Sequence, residues 1–323
     1  MLRMRLAHLK PQFFAGLLFG FLAFHFFLEL NRSAEESVTF LTYIRAIEGQ
    51  QHNHTVADEQ TPAKTTAQSI RILCWIMTGP KYLESRTKHI KGTWAKRCDI
   101  VLYMSSEETD FPTVGLNVSE GRENLYWKTI RAFQYVYEHH MDDADWFVKA
   151  DDDTYMIVEN LRYALSKYDT ETPVYLGRRF YPFVKNGYMA GGAGYVLSKE
   201  ALRRFINGFS SGSCTHFSEI EDMALGQCMQ TMGVEPTDSR DIKGRQRFHA
   251  YPPENHVVRQ PPRPLPWYLV YEFYPAVEGP RSCSDLSVSF HYIHPDMLYV
   301  LDYLTYHLRP YGYKYRFNPD ETT

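Results

Sequence analysis

A short, mostly apolar run, Trp146-Phe147-Val148-Lys149-Ala150, leads without a break into Asp151-Asp152-Asp153. So short a run reads as a buried strand, and acids at the carboxyl end of a strand lie where open α/β sheets bind ligands. Three adjacent carboxylates repel one another, so a fold that gathers them usually supplies a cation. A solvated acidic turn is the plain alternative. An EF-hand loop is excluded, because the sixth position from Asp151 is Met156 rather than Gly and the twelfth is Arg162 rather than Glu.

The surrounding sequence repeats the strand signal and alternates it with helices. Residues 69–78 and 99–105 are apolar runs, the first closed by Gly79-Pro80, and residues 174–177 and 191–198 read as further strands. Tyr126, Ile130, Phe133 and Tyr137 recur at helical spacing, which predicts a helix over 125–140; Ile157, Leu161 and Leu165 mark another. A helix is expected over 199–208, then a strand over 286–293 and a helix over 297–308. Such alternation predicts an α/β domain with a mainly parallel sheet flanked by helices. The proline-rich stretch 247–280 reads as ordered loops wrapped around a site. The Gly191-Gly192-Ala193-Gly194 turn lacks the P-loop Lys-Ser/Thr and the dinucleotide spacing.

With 44% hydrophobic and 23% charged residues, the 323-residue chain is globular rather than disordered or fibrous. Lys and Arg number 35 against 38 Asp and Glu, so no basic excess points to nucleic acid. Residues 13–28 carry His25 as their sole ionisable group, behind Arg3, Arg5 and Lys10. As a helix this run is about 24 Å long, short against a hydrocarbon core of about 30 Å. A cleaved signal peptide is the alternative, but no small-x-small site follows, and an uncleaved signal-anchor is expected. The charge order keeps residues 1–10 cytoplasmic, 11–30 in the membrane and the rest lumenal. Residues 31–68 then form a stem, 69–318 the folded domain and 319–323 a tail. Asn31-Arg32-Ser33, Asn53-His54-Thr55 and Asn117-Val118-Ser119 fit the N-glycosylation pattern. Of five cysteines, Cys74 with Cys98 and Cys214 with Cys228 are plausible pairs closing loops of about 25 and 15 residues, each contributing about 3 kcal/mol by loop entropy. Connectivity is not fixed by sequence, and Cys283 is left over.

Three further residues join the aspartates as chemical candidates. His291 lies in the predicted 286–293 strand; as a neighbour of the aspartates it adds a nitrogen ligand and biases the site from Mg²⁺ towards Mn²⁺. Otherwise it is a structural strand histidine. Ser218-Glu219-Ile220-Glu221 has the form of a capping box, with Glu221 on the cap and Asp222 one position later. Acids favour helix N-termini in any case, yet Asp222 there is a candidate base, kept ionised by the helix dipole.

Together the segments CWIMTGP (74–80), LYWKTIRAFQYV (125–136), DADWFVKADDDTY (143–155), GYMAGGAGYVLSKEAL (187–202), IEDMALGQC (220–228) and SFHYI (289–293) closely resemble the core-1 β3-galactosyltransferase family, over about residues 69–317. The resemblance implies a GT-A type fold and an inverting enzyme that moves galactose from UDP-galactose to O3 of GalNAc on Ser or Thr. It implies a Mn²⁺ site at Asp151, Asp153 and His291, with Asp152 facing the donor and Asp222 as base. Met77, Arg122, Glu123, Lys128 and Tyr292 match segments lining the UDP site; Trp267 and Glu221 stand on the acceptor side. A type II Golgi or ER–Golgi location, glycoprotein acceptors, a homodimer and a lumenal chaperone partner follow from the same resemblance. Two positions depart from the family pattern. Ser282 precedes Cys283 where adjacent cysteines are usual, and Leu269 stands where Trp-Tyr-Trp is expected. Three rivals stay open. One is a non-catalytic chaperone-like relative, whose family counterpart lacks the triple aspartate. The others are a Fringe-like β3-transferase of other sugars and a glycan-binding protein that needs neither metal nor base.

Overall fold

The structure, a computed structural model, describes residues 70–258, 267–275 and 277–312, apart from the side chains of Trp267 and Tyr268. All of these belong to one compact unit, Pro62–Thr323. The expected tail, anchor and stem (1–68) and the terminal tail (319–323) lie outside the described residues. Among the described residues no helix is long and apolar enough to cross a membrane.

Eleven strands are present among the described residues: β1 (Ile72–Met77), β2 (Ile100–Ser105), β3 (Thr113–Gly115), β4 (Trp146–Asp151), β5 (Tyr155–Met156), β6 (Tyr175–Gly177), β7 (Arg179–Phe180), β8 (Tyr188–Met189), β9 (Tyr195–Ser198), β10 (Phe248–His249) and β11 (Ser289–Phe290). The helices are α1 (Lys88–Gly92), α2 (Leu125–His140), α3 (Val158–Leu165), α4 (Lys199–Ser210), α5 (Glu221–Thr231), α6 (Pro253–Val257), α7 (Trp267–Val270) and α8 (Pro295–Tyr306). The main sheet has the order β3-β2-β1-β4-β9-β6. β9 runs antiparallel to both of its neighbours and the other pairings are parallel, so the mainly parallel sheet is as expected. A second sheet, β10-β11-β5, stands at the end of β4.

The pleat explains why β1 and β4 read as unbroken apolar runs. Alternate residues face opposite sides, and both sides are covered. Ile72, Cys74 and Ile76 pack in one layer with Trp146, Val148 and Leu161. Leu73, Trp75 and Met77 pack in the other with Phe147, Phe133 and Phe205. Lys149 is a buried exception on the second face. Cys74–Cys98 and Cys214–Cys228 are disulfides, and Cys283 is a buried free thiol.

The expected strand over 286–293 shrinks to Ser289–Phe290. Tyr292 takes a positive φ of 57°, which an extended strand does not allow, and the chain turns there. The final helix begins at Pro295, whose fixed φ and missing N–H suit a first turn. Within the proline-rich stretch two short helices, α6 and α7, and the strand β10 form where loops alone were expected.

Candidate active site

The site is built where β1 and β4 end. Met77 pairs with Asp151 across these two strands, so the acidic turn opens from the middle of the sheet. β11 pairs antiparallel with β5, directly after that turn, and Ile293 N–H donates to the Asp153 carbonyl at 2.8 Å. This pairing delivers His291 to the aspartates. His291 Nε2 lies 3.1 Å from Asp153 Oδ1 and 3.8 Å from Asp151 Oδ2. Donor atoms of Asp151, Asp153 and His291 all fall within 4.8 Å of one another. Two hard oxygen ligands and an imidazole suit Mn²⁺. Gly192 makes this approach possible, since a Cβ there would stand 1.9 Å from the His291 ring.

The carboxylates differ in their surroundings. Asp153 is partly buried, which works against its charge, but His291, Arg86 and Lys149 outweigh that and hold its carboxyl below the ordinary range. Burial pushes Asp152 up to about 6, only partly offset by Arg86 and Thr78. Arg86 Nη1 bridges Asp152 at 3.1 Å and Asp153 at 3.2 Å, and Thr78 Oγ1 donates to Asp152 at 2.9 Å. Asp152 therefore faces Arg86 and Thr78 rather than the His291 side. Arg86 comes from a wide turn, Leu83–Thr87, that no sequence signal had marked.

Asp222 lies on the first turn of α5. Gly191 N–H donates to its Oδ2 at 2.9 Å and Met223 N–H to its Oδ1 at 2.9 Å. Burial nevertheless raises the Asp222 carboxyl above the ordinary range, opposing the helix-terminal N–H groups that were expected to keep it ionised. A carboxylate raised in this way is a stronger base. The expected capping box does not form. Ser218 Oγ accepts from Ile220 N–H instead, and Glu221 turns inward. There its Oε1 accepts from Thr129 at 2.9 Å and from Tyr195 at 2.7 Å, and burial raises its carboxyl also.

Buried Lys149, which sequence reasoning passed over, joins these parts: its Nζ lies 2.5 Å from Asp151 Oδ1 and 3.8 Å from Glu221 Oε2. The signal was available, because a lysine in a strand buried on both faces demands a counter-charge.

The remaining candidates are placed unevenly. Tyr292 is half exposed and stacks on His291 at 3.8 Å between ring centres. Arg122 and Glu123 are exposed on the turn before α2, and Arg122 is close enough for its charge to act on the Tyr292 phenol. Met77 is buried at the end of β1. Lys128 is buried and directs its ammonium to the Thr78 carbonyl at 2.5 Å and to Glu120 at 2.9 Å, which ties α2 to the β1 terminus. Trp267 opens α7, and its side chain lies outside the described residues.

Residues 66–257 match the Fringe-like family, a span that takes in the aspartates and Asp222 and stops short of His291. The chain is 50% identical over 273 residues to glycoprotein-N-acetylgalactosamine 3-beta-galactosyltransferase 1 of Xenopus laevis, covering 84% of this chain and 76% of that protein. It is 35% identical over 168 residues to a beta-1,3-glucosyltransferase of Mus musculus, covering 51% of this chain and 34% of the relative. Among solved structures, a glycosyltransferase involved in glycosylation of the major capsid of PBCV-1 is similar at 17% identity. That overlap covers 41% of this chain and 62% of the other with a TM-score of 0.28, too slight to carry weight.

Proposed function

The chain belongs to the Fringe-like family and to that of the glycoprotein-N-acetylgalactosamine 3-beta-galactosyltransferases, and on that premise we propose that it transfers galactose from UDP-galactose to O3 of GalNAc on Ser or Thr of glycoproteins, with inversion. The observation that carries this reading is one pair of glycines. Gly191 holds Asp222 by its N–H while Gly192 lets His291 in beside Asp151 and Asp153. A base and a cation-binding trio thus share a single turn, as an inverting sugar transfer from a nucleotide diphosphate needs.

Asp151, Asp153 and His291 would hold Mn²⁺, which supplies positive charge beside a departing diphosphate. Asp222 accepts the proton of the acceptor hydroxyl as that oxygen bonds to the anomeric carbon. The bond from this carbon to the diphosphate oxygen breaks on the opposite face, UDP leaves, and one displacement inverts the centre. Arg86 ties Asp152 and Asp153 together through ion pairs to both. Tyr292 and Arg122 lie on the rim where a nucleotide would enter. A signal-anchor at 11–30 and a lumenal Golgi domain belong to the same reading.

The full-length chain in detergent is assayed for galactose transfer from UDP-galactose to a GalNAc-α-Thr peptide, with Mn²⁺ and with EDTA. The expected result is metal-dependent formation of a β-linked product, read from its anomeric coupling by NMR. Folded protein that neither transfers galactose nor binds UDP would overturn the proposal and favour a non-catalytic relative.

A further inference from the structure

Lys149 is 3% exposed, and its ammonium reaches the end of β4, the turn before β9 and the start of α5. The β4 pleat sets Lys149 and Asp151 on the same face, and Nζ reaches Asp151 Oδ1 at 2.5 Å. It donates to the Gly191 carbonyl at 3.2 Å, in the turn before β9. It also faces Glu221 Oε2 at 3.8 Å, at the start of α5. Gly191 is therefore gripped twice, by its carbonyl on Lys149 and by its N–H on Asp222 Oδ2 at 2.9 Å.

From this arrangement we propose that Lys149 is a positioning residue for Asp222, fixing the proton acceptor relative to the end of β4 through the Gly191 peptide. The inference rests on the transferase reading. The close packing of Gly191 supports it. A Cβ there would lie 2.7 Å from Glu221 Oε2, 3.3 Å from Asp222 Cβ and 3.4 Å from Lys149 Nζ, so the three side chains close around a residue that has none. Without the ammonium, the Gly191 carbonyl and Glu221 lose their shared partner. The turn that orients Asp222 is then free to shift. A displacement of about 1 Å in a reacting group costs on the order of 100-fold in rate.

The test is a double-mutant cycle on the full-length protein. Lys149→Met, which keeps the length and removes the charge, is made alone and with Asp222→Asn. Transfer is followed with radiolabelled UDP-galactose, and UDP binding with saturating Mn²⁺ is followed by calorimetry. In the wild-type background Lys149→Met should lower kcat by about 30- to 100-fold, with the UDP affinity within about threefold. In the Asp222→Asn background the same change should cost less than about threefold, because the residue it positions is already disabled. Equal losses in both backgrounds would overturn the proposal. So would a fall in UDP–Mn²⁺ affinity large enough to account for the lost rate, since Lys149 would then serve only Asp151. Gly191→Ala keeps every charge and should give the same background-dependent loss, so it tests the idea even if Lys149→Met fails to fold. Absence of transfer by the wild type would instead sink the transferase reading itself.

Discussion

His249 and His291 are neighbours on β10 and just past β11, joined by a hydrogen bond from His291 N–H to the His249 carbonyl at 3.1 Å, yet they live in opposite settings. His291 faces two carboxylates. His249 is fully buried, stacked on Phe290 at 4.5 Å, with His256 and Arg178 nearby. Burial first, then those two neighbours, holds His249 well below its ordinary range, and burial and Arg178 bring His256 to about 3. Arg178 is itself closed by Glu272, with two contacts of 2.9 Å from Nε and a third from Nη2 at 2.5 Å. One cluster gathers negative charge around donors that can take a cation. The other satisfies its charge internally. Polar groups thus gather as candidate ligands on one side of a small sheet and close on one another as fastenings on the other.

Four changes would sharpen or break this contrast, in falling order of expected effect. Asp153→Ala should lower transfer by about 10³-fold with only a small loss of stability, because the lost carboxylate is one that His291, Arg86 and Lys149 hold charged. Arg178→Met should do the reverse. It strands Glu272 in the interior and costs about 3–5 kcal/mol in denaturant unfolding, most of it recovered by adding Glu272→Gln. His291→Gln should weaken Mn²⁺-dependent UDP binding by about 10- to 100-fold, whereas His249→Gln should act on stability alone, by about 1–3 kcal/mol. If both glutamine variants lost UDP binding equally, the two histidines would not be playing separate parts.

The last effect is on pH. In the unfolded chain both fastening histidines take a proton as pH falls through about 6.5. In the fold His256 waits until about 3 and His249 also stays neutral. The unfolded state therefore binds more protons between about 6.5 and 3, and stability falls as pH falls, by up to about 1.4 kcal/mol per pH unit for each histidine. Urea midpoints measured from pH 7 to pH 5 should drop, and His256→Phe should flatten the slope.

Only one side of this contrast, the acidic turn with His291, could be read from the chain before any coordinates. The helix over 125–140 and the strand ending in Asp151 follow from periodicity, because each is local; the two disulfides were plausible pairs whose connectivity the fold supplies. The meeting of His291 with the aspartates was legible only as a condition, that its strand lie beside theirs; the β11–β5 pairing meets it. Lys149's need for a counter-charge was legible, but its partners, Arg86 and the reason for two adjacent glycines were not. Each depends on segments distant in sequence, as in the Gly191–Asp222 contact separated by 31 positions and the Lys149–Gly191 contact separated by 42. The capping box failed for a related reason. Thr129 and Tyr195 offer Glu221 two buried hydroxyls, which outweigh a local cap exposed to water. Of the two departures from the family pattern, Ser282 sits on the fastening side, donating to the His256 carbonyl at 3.0 Å, and Leu269 packs into the core.

The central claim is that Asp222 acts on the acceptor while Asp151, Asp153 and His291 serve the donor, and one variant separates these roles. UDP binding with Mn²⁺ and galactose transfer are measured side by side on full-length Asp222→Asn. UDP affinity within about threefold of wild type together with a loss of transfer of about 10³-fold is the predicted result. Transfer at near wild-type rate, or UDP binding lost in step with transfer, would contradict it.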